Sequence, residues 1–210
     1  MLYKSFMNII GIDFSLNKPS ACVLSNNKYS FYAWPYNIDE KFINALKENG
    51  VNVINRVESR YSGASSSDKV RNDIILSNNL ANLIISTLNP FINSKTIFAF
   101  EGSSFASKGN VALQLTAWRY ILVYKLSLLI PLNNIYSYSP LTLKSIAGCS
   151  KKGQKKEDMI KAFIKKGPDC SFVKSLREGK LMRPKATKWV DNVDDLIDAY
   201  WATETYLKKG

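Results

Sequence analysis

The chain has 210 residues, 46% of them hydrophobic, and sets 29 Lys and Arg against 17 Asp and Glu for a formal net charge of +12. That length suits one domain (1–210) with a sizeable core, and the composition excludes a disordered chain. The sequence holds no histidine, which excludes Ser-His-Asp catalysis, histidine general acid–base chemistry and His-ligated zinc; hydrolytic chemistry must rest on carboxylates, lysines, hydroxyls or metals.

From the N-terminus, Asn8 to Asp13 is an apolar run that ends on an acid and predicts a first strand. Ser20 to Ser25 predicts a second, and Asn26-Asn27-Lys28 supplies the turn into a third, Tyr29 to Trp34, closed by Pro35. Asp39 to Asn49 predicts a short helix stopped by Gly50. Arg56 to Asp68 is a polar, serine-rich loop, with Asp68 a candidate cap for a helix over Lys69 to Leu88 that Asn89-Pro90 ends. Thr96 to Glu101 predicts a fourth strand, again apolar and again ending on an acid. A small-residue loop, Gly102 to Gly109, leads into a long helix near Asn110 to Leu129. Ile135 to Tyr138 predicts the fifth strand, Pro140 a short helix toward Gly148, Glu157 to Lys166 a helix after the basic run Lys151 to Lys156, and Asn192 to Lys209 a closing helix; Gly167 to Ala186 reads as irregular and basic. An antiparallel three-strand meander followed by alternating helices and strands predicts an α/β fold with a mixed five-stranded sheet flanked by helices.

The positive charge favours a polyanionic partner, nucleic acid before an anionic membrane surface, because no basic amphipathic anchor stands out. The longest apolar stretch, Val111 to Leu132, is interrupted by Gln114, Arg119 and Lys125, so no membrane span is expected. The first residues do not read as a secretory signal. Cys22, Cys149 and Cys170 show no paired spacing, which argues against a disulfide framework or a thiolate zinc site; the expected location is the cytoplasm.

Four acids stand out by position. Asp13 and Glu101 close strands, and Asp195 and Asp198, three apart on the closing helix, share a face. Asp194 is adjacent but directed elsewhere, and Asp191 offers a rival register. Taken singly, each acid suits a turn or a solvated helix face. Gathered together they repel one another and raise each other's pKa, a conflict that divalent cations remove. An all-oxygen donor set suits Mg²⁺ or Mn²⁺, and two such ions about 3.5–4 Å apart can clamp a phosphodiester for in-line hydrolysis.

The ordered set resembles the RuvC family of junction resolvases, within the ribonuclease H-like nucleases. Gly11-Ile12-Asp13 followed by Ser15 resembles that family's opening motif. Phe98-Ala99-Phe100-Glu101 before a loop and a long helix resembles its second, and Asp195-Leu196-Ile197-Asp198-Ala199 followed by Ala202 its closing motif. Ser139-Pro140 and Lys144 resemble the segment leading to the family's basic loop, here Lys151 to Lys156. The resemblance implies a ribonuclease H-like core, a homodimer, two Mg²⁺ (or Mn²⁺) ions held by Asp13, Glu101, Asp195 and Asp198, and paired nicking of four-way or other branched DNA in recombination and repair. It also implies DNA contacts from Phe105, Lys108, Lys144, Lys151, Lys152, Lys155 and Lys156. For Phe105, insertion near the junction centre stands beside simple packing under the long helix; for each lysine, a place near the scissile phosphate stands beside ordinary backbone contact or a solvated face. Leu113, Ala117, Tyr120, Ile121, Tyr124 and Leu128 on the long helix fit either a dimer interface or core packing. The stretch from Asp39 to Lys69 is longer than a minimal resolvase needs, and no histidine follows the last acids. Three alternatives remain: a related nuclease for flaps or RNA–DNA hybrids, a non-catalytic DNA-binding protein, and an actin-like or sugar-kinase-like ATPase. The last is disfavoured because Phe14 to Asn17 is not Gly-rich. The Asn and Lys content suggests a phage or low-GC source.

Overall fold

The computed structural model describes residues 7–56, 58, 65–102, 110–151, 156–183 and 188–210, the side chains at 110 and 111 excepted. β1 (Ile9–Asp13), β2 (Ser20–Ser25) and β3 (Lys28–Ala33) form the antiparallel meander. Asn26 and Asn27 both adopt positive φ, 50° and 61°, the conformation a tight two-residue hairpin requires and asparagine tolerates. β5 (Ile97–Glu101) adds parallel to β1, and β6 (Ile135–Tyr138) parallel to β5. Because a parallel neighbour needs a crossover connection, the helices fall on the two faces of the sheet.

Between β3 and β5 the chain contains a sixth strand, β4 (Val51–Val53), parallel to β3, so the sheet has six strands, in the order β4-β3-β2-β1-β5-β6, and not five. A run of three residues is too short to show a period of two; the strand exists because the open edge of β3 supplies hydrogen-bonding groups for it to meet. It follows α1 (Glu40–Glu48), which Asp39 caps by accepting from the amide of Lys41. α2 spans Ser66–Leu88 and begins earlier than the sequence suggests: its cap is Ser65, whose hydroxyl takes the amide of Asp68, not Asp68 itself. α3 spans Asn110–Ser127. α4 (Pro140–Ala147) starts with the Ser139 cap and Pro140 at its first turn, and stops at Gly148 with φ +80°. α5 (Lys156–Lys166) and α6 (Ser171–Arg177) precede the closing helix α7 (Val193–Lys209). α6 lies in the stretch read as irregular; at seven residues it is too brief to give a clear helical period, and buried Phe172, Val173 and Leu176 hold it by tertiary contact.

The alternation of β side chains divides the core in two. Ile10, Ile12, Ala21, Val23, Phe98 and Phe100 pack on one face against α2 and α3, where Leu80, Ile84, Trp118, Leu122 and Leu126 are buried. Cys22, Phe31, Ala33 and Ala99 pack on the other against α4 to α7, with Phe163, Phe172, Tyr200 and Trp201 as the bulk of the core. Each such fully buried large side chain contributes roughly 1.5–3 kcal/mol. α7 crosses β1, β2 and β5 beneath α4 and α5, which is why almost its whole first three turns are buried. No helix among the described residues is long and apolar enough to cross a membrane.

At Gly11 the helix α7 and the strand β1 approach closely. A β-carbon there would meet the carbonyl of Ala199, the Thr203 hydroxyl and the Thr203 amide nitrogen, the last at 2.8 Å. The Thr203 hydroxyl in turn reaches the Cys22 carbonyl at 3.2 Å and that of Ala199 at 3.3 Å. Glycine lets the α7 backbone lie directly on β1. Gly11→Ala is expected to lift α7 off the sheet and destabilise the protein by about 1–3 kcal/mol or more. Urea unfolding measures this, and an unchanged midpoint would count against the close contact.

Candidate metal centre and its basic surround

Asp13 and Glu101 end neighbouring parallel strands one residue beyond the Ile12–Phe100 pair, so the register sets both carboxylates at the same edge of the sheet. α7 starts at that edge. Its capping residue, Asn192, is fully buried and in the left-handed region (φ 72°), and its side-chain amide donates to the Lys18 carbonyl at 3.1 Å and to the Ser20 hydroxyl at 3.2 Å. Those bonds fix the start of the helix against the loop before β2. Asp195 and Asp198, on the first turns, then face the strand ends and are only 8% and 6% exposed.

One carboxylate oxygen each from Asp13, Glu101 and Asp198 lies within 4.8 Å of the others. Asp195 stands close enough to raise the pKa of both Asp13 and Glu101 but falls outside that tight triplet. Among the described residues its buried Oδ2 has no hydrogen-bond partner, and the Lys18 ammonium stands 3.8 Å from it. An orphaned buried carboxylate oxygen beside three converging carboxylates is a donor set that fits hard divalent cations, with neither sulfur nor imidazole involved.

The electrostatics reflect that crowding. Burial, then the charges of Glu101, Asp195 and Asp198, drive Asp13 well above the ordinary carboxylate range. Burial and Asp198 push Glu101 up to about 8. Burial and Asp194 raise Asp195 to about 6, and burial raises Asp198 to about 6 against the pull of Lys156. Lys156, at the start of α5, sits 2.9 Å from Asp194 and 3.3 Å from Asp198. Burial would lower its pKa, but Asp198, Asp194 and Asp195 outweigh that and raise it. Asp194 moves the other way: burial would raise it, and Lys156 brings it below its ordinary value.

Lys144 on α4 acts on the same group, since its charge lowers the pKa of both Glu101 and Asp198. Lys151 is exposed. Phe105, Lys108, Lys152 and Lys155, and most of the serine-rich loop, lie outside the described residues. Asp191 is not part of the carboxylate group; it pairs with Arg183 at 2.7 Å and stands 3.8 Å from Lys18. Asp194 does not point away from the site as expected but shares the Lys156 ammonium with Asp198. Lys18, Asn192 and Arg183 escaped the sequence reading. Only Asn192 left a trace, as a helix-capping residue type just before the acidic motif.

No family model matches the sequence, and no curated protein matches it. Among solved structures, T. thermophilus RuvC in complex with Holliday junction substrate is similar with a TM-score of 0.50 at 12% identity, over 97% of this chain and 96% of that one. A second Thermus thermophilus RuvC structure gives 0.49 at 14% identity, over 96% and 93%. The first likeness shows the fold: a RuvC-like mixed sheet with flanking helices.

An acid whose folded pKa is raised keeps its proton in the folded protein at pH values where the unfolded chain has lost it, so stability falls as pH climbs through that window. Without divalent ions, stability is expected to decline from about pH 4 through about 6 (Asp195 and Asp198) to about 8 (Glu101). Asp195→Asn, which removes one crowded charge, should raise the melting temperature at pH ~8 by several degrees, at roughly 2–4 °C per kcal/mol. Calorimetry in chelator checks both; a melting temperature that rises with pH over this range would contradict the charge-crowded site.

Proposed function

We propose that this chain is a metal-dependent endonuclease that resolves four-way or other branched DNA by paired nicking, and that it comes from a phage or other low-GC genome. The observation that carries the reading is the convergence of Asp13, Glu101 and Asp198, with Asp195 beside them, at one edge of a RuvC-like sheet. The fold neighbour solved with a Holliday junction supports the choice of substrate. Two Mg²⁺ or Mn²⁺ ions bound there would supply Lewis-acid stabilisation of a phosphodiester and a water ionised at neutral pH.

The protein's own groups do the remainder. Asp13 and Glu101, fixed on rigid strands, and Asp198, fixed by the α7 packing, hold the donor oxygens in place before substrate arrives. Asp195, whose buried Oδ2 has no hydrogen-bond partner among the described residues, completes the set. Lys144 and Lys156 place positive charge beside the scissile phosphate, where negative charge grows in the transition state. Water adds to phosphorus as the bond to O3′ breaks, leaving a 5′-phosphate and a 3′-hydroxyl. With no histidine in the chain, the proton that the water loses passes to solvent, and the departing O3′ takes one up from solvent to become the hydroxyl.

Paired nicking needs two sites. On α3, Leu113 (71% exposed), Ala117, Tyr120 (61%) and Tyr124 (66%), with Leu128 (69%) just past its end, form a stripe facing away from the core residues Trp118, Leu122 and Leu126. α2, bonded to α3 through Gln114 and Asp73, adds exposed Val70 and Ile74. Of the two readings of this helix, core packing does not account for the stripe. An exposed apolar patch of this kind marks an association surface, and a second copy of the chain is the partner that supplies the second site.

Asp13→Asn and Glu101→Gln are each expected to cut Mg²⁺-dependent cleavage of a mobile four-way junction by at least about 100-fold, with junction binding retained. Flap and RNA–DNA hybrid substrates run in parallel decide the substrate class. Retained cleavage in both variants would remove the assignment, and binding without cleavage of any substrate would favour a non-catalytic DNA-binding protein. Tyr124→Glu together with Leu128→Glu should convert a dimer to a folded monomer in sedimentation; a wild-type protein that sediments as a monomer at high concentration would remove the two-fold arrangement.

A further inference from the structure

Beside the carboxylates lies a second feature, which shares Lys156 with the cleavage chemistry but is otherwise unused by it. Met182 and Trp189 form an antiparallel bridge, and the Arg183 amide donates to the Lys188 carbonyl at 2.9 Å while that of Val190 donates to Leu181 at 2.8 Å. These bonds hold the two strands of a small ribbon just ahead of α7. The ribbon, the loop at Lys18 and the start of α5 enclose a cleft of ≈ 330 Å³, lined by Lys18, Lys156, Arg183, Lys188 and Trp189 among others. A volume of that order accommodates one nucleotide unit.

The lining groups divide by what they already do. Arg183 is fully engaged: it pairs with Asp191 at 2.7 Å, donates to the Trp189 carbonyl at 3.1 Å and lies over the Phe42 ring at 4.7 Å. It is a strut that sets the position of Trp189. Asp194 is tied to Lys156. Lys188 is exposed and has no ion-pair partner among the described residues. Trp189 is half-buried and has no aromatic partner among them. An unpaired ammonium next to an unstacked indole is the combination that holds a phosphate and a base of a single strand. The cleft also adjoins the acids: Lys156 lines it and reaches Asp198 at 3.3 Å.

We propose that this cleft is a subsite for the nucleotide next to the scissile phosphate, its base against Trp189 and its phosphate against Lys188. The proposal rests on the nuclease reading above and adds a strand-guiding contact to it. Base–aromatic stacking and one phosphate contact would pull the strand straight across the acids.

The other three tryptophans, Trp34, Trp118 and Trp201, are 0%, 4% and 1% exposed. All four tryptophans emit, but of them only Trp189 lines the cleft, so the change in emission on binding there reports on Trp189. In chelator, a short single-stranded oligothymidylate is expected to quench wild-type emission, and Trp189→Phe to abolish the quench. Lys188→Ala should weaken binding several-fold at low salt and reduce the slope of log affinity against log salt by about one. Thymidine monophosphate at the same nucleotide concentration should quench far less than the strand. A quench that survives Trp189→Phe, an unchanged salt slope in Lys188→Ala, or preference for the free nucleotide overturns the subsite while leaving junction cleavage in Mg²⁺ untouched. Conversely, Trp189-dependent quenching by a protein that cleaves nothing keeps the subsite and removes the nuclease.

Discussion

The backbone of α7 lies against β1 at Gly11 with only the Thr203 hydroxyl beside the contact, and the rest of the arrangement depends on it. It is possible because residue 11 lacks a β-carbon, so that the carbonyl of Ala199 and the hydroxyl of Thr203 occupy the space one would fill. Thr203 bridges the helix to β2, and Asn192 ties the beginning of the helix to the loop before the same strand. Two pins and one close approach fix both the distance and the rotation of α7. Any other rotation would turn Asp195 and Asp198 away from the strand ends and bury different side chains under α4 and α5.

The site so built is in electrostatic conflict. Four carboxylates are drawn to one sheet edge, and burial raises the pKa of each while their mutual repulsion raises it further. Lys156, Lys144 and Lys18 offset part of this from three separate segments. An arrangement that leaves buried acids short of partners does not stabilise a fold. Strain of that kind is retained where a site needs it, and a cation is the remaining group that could relieve it. The core carries the load instead, with Phe31, Phe163, Phe172, Tyr200 and Trp201 packed on the α7 side of the sheet.

The basic side chains around the acids are arranged rather than scattered. Arg183 and Lys18 meet at Asp191, Lys18 also stands 3.8 Å from Asp195, and Lys156 separately bridges Asp194 and Asp198, so two sets of ion pairs lie between the ribbon before α7 and the carboxylate edge. The protein carries a formal net charge of +12. Part of it is organised so that specific lysines lie close to the acids.

Much was legible in the amino-acid order. Apolar runs ending in Asp13 and Glu101, the hairpin asparagines, the Ser139-Pro140 helix start and the Asp195/Asp198 spacing each depend on neighbours along the chain, and local periodicity reveals those. What needed the folded structure involves partners far apart in sequence. β4 and α6 are too short to announce themselves and exist through an open strand edge and a buried face. Ser65 displaced Asp68 as the cap of α2 by local hydrogen-bond geometry that residue type alone left open. The α3 stripe could be assigned to the outside only once Trp118 and Leu122 were seen to take the inside. Lys18, Asn192 and the Trp189 cleft left almost no sequence signal because their meaning comes from what they face. The sequence determined which residues could bear charge at the ends of strands and helices; tertiary packing at Gly11 decided that those charges meet, because only a close helix-on-strand contact brings acids from opposite ends of the chain to one edge.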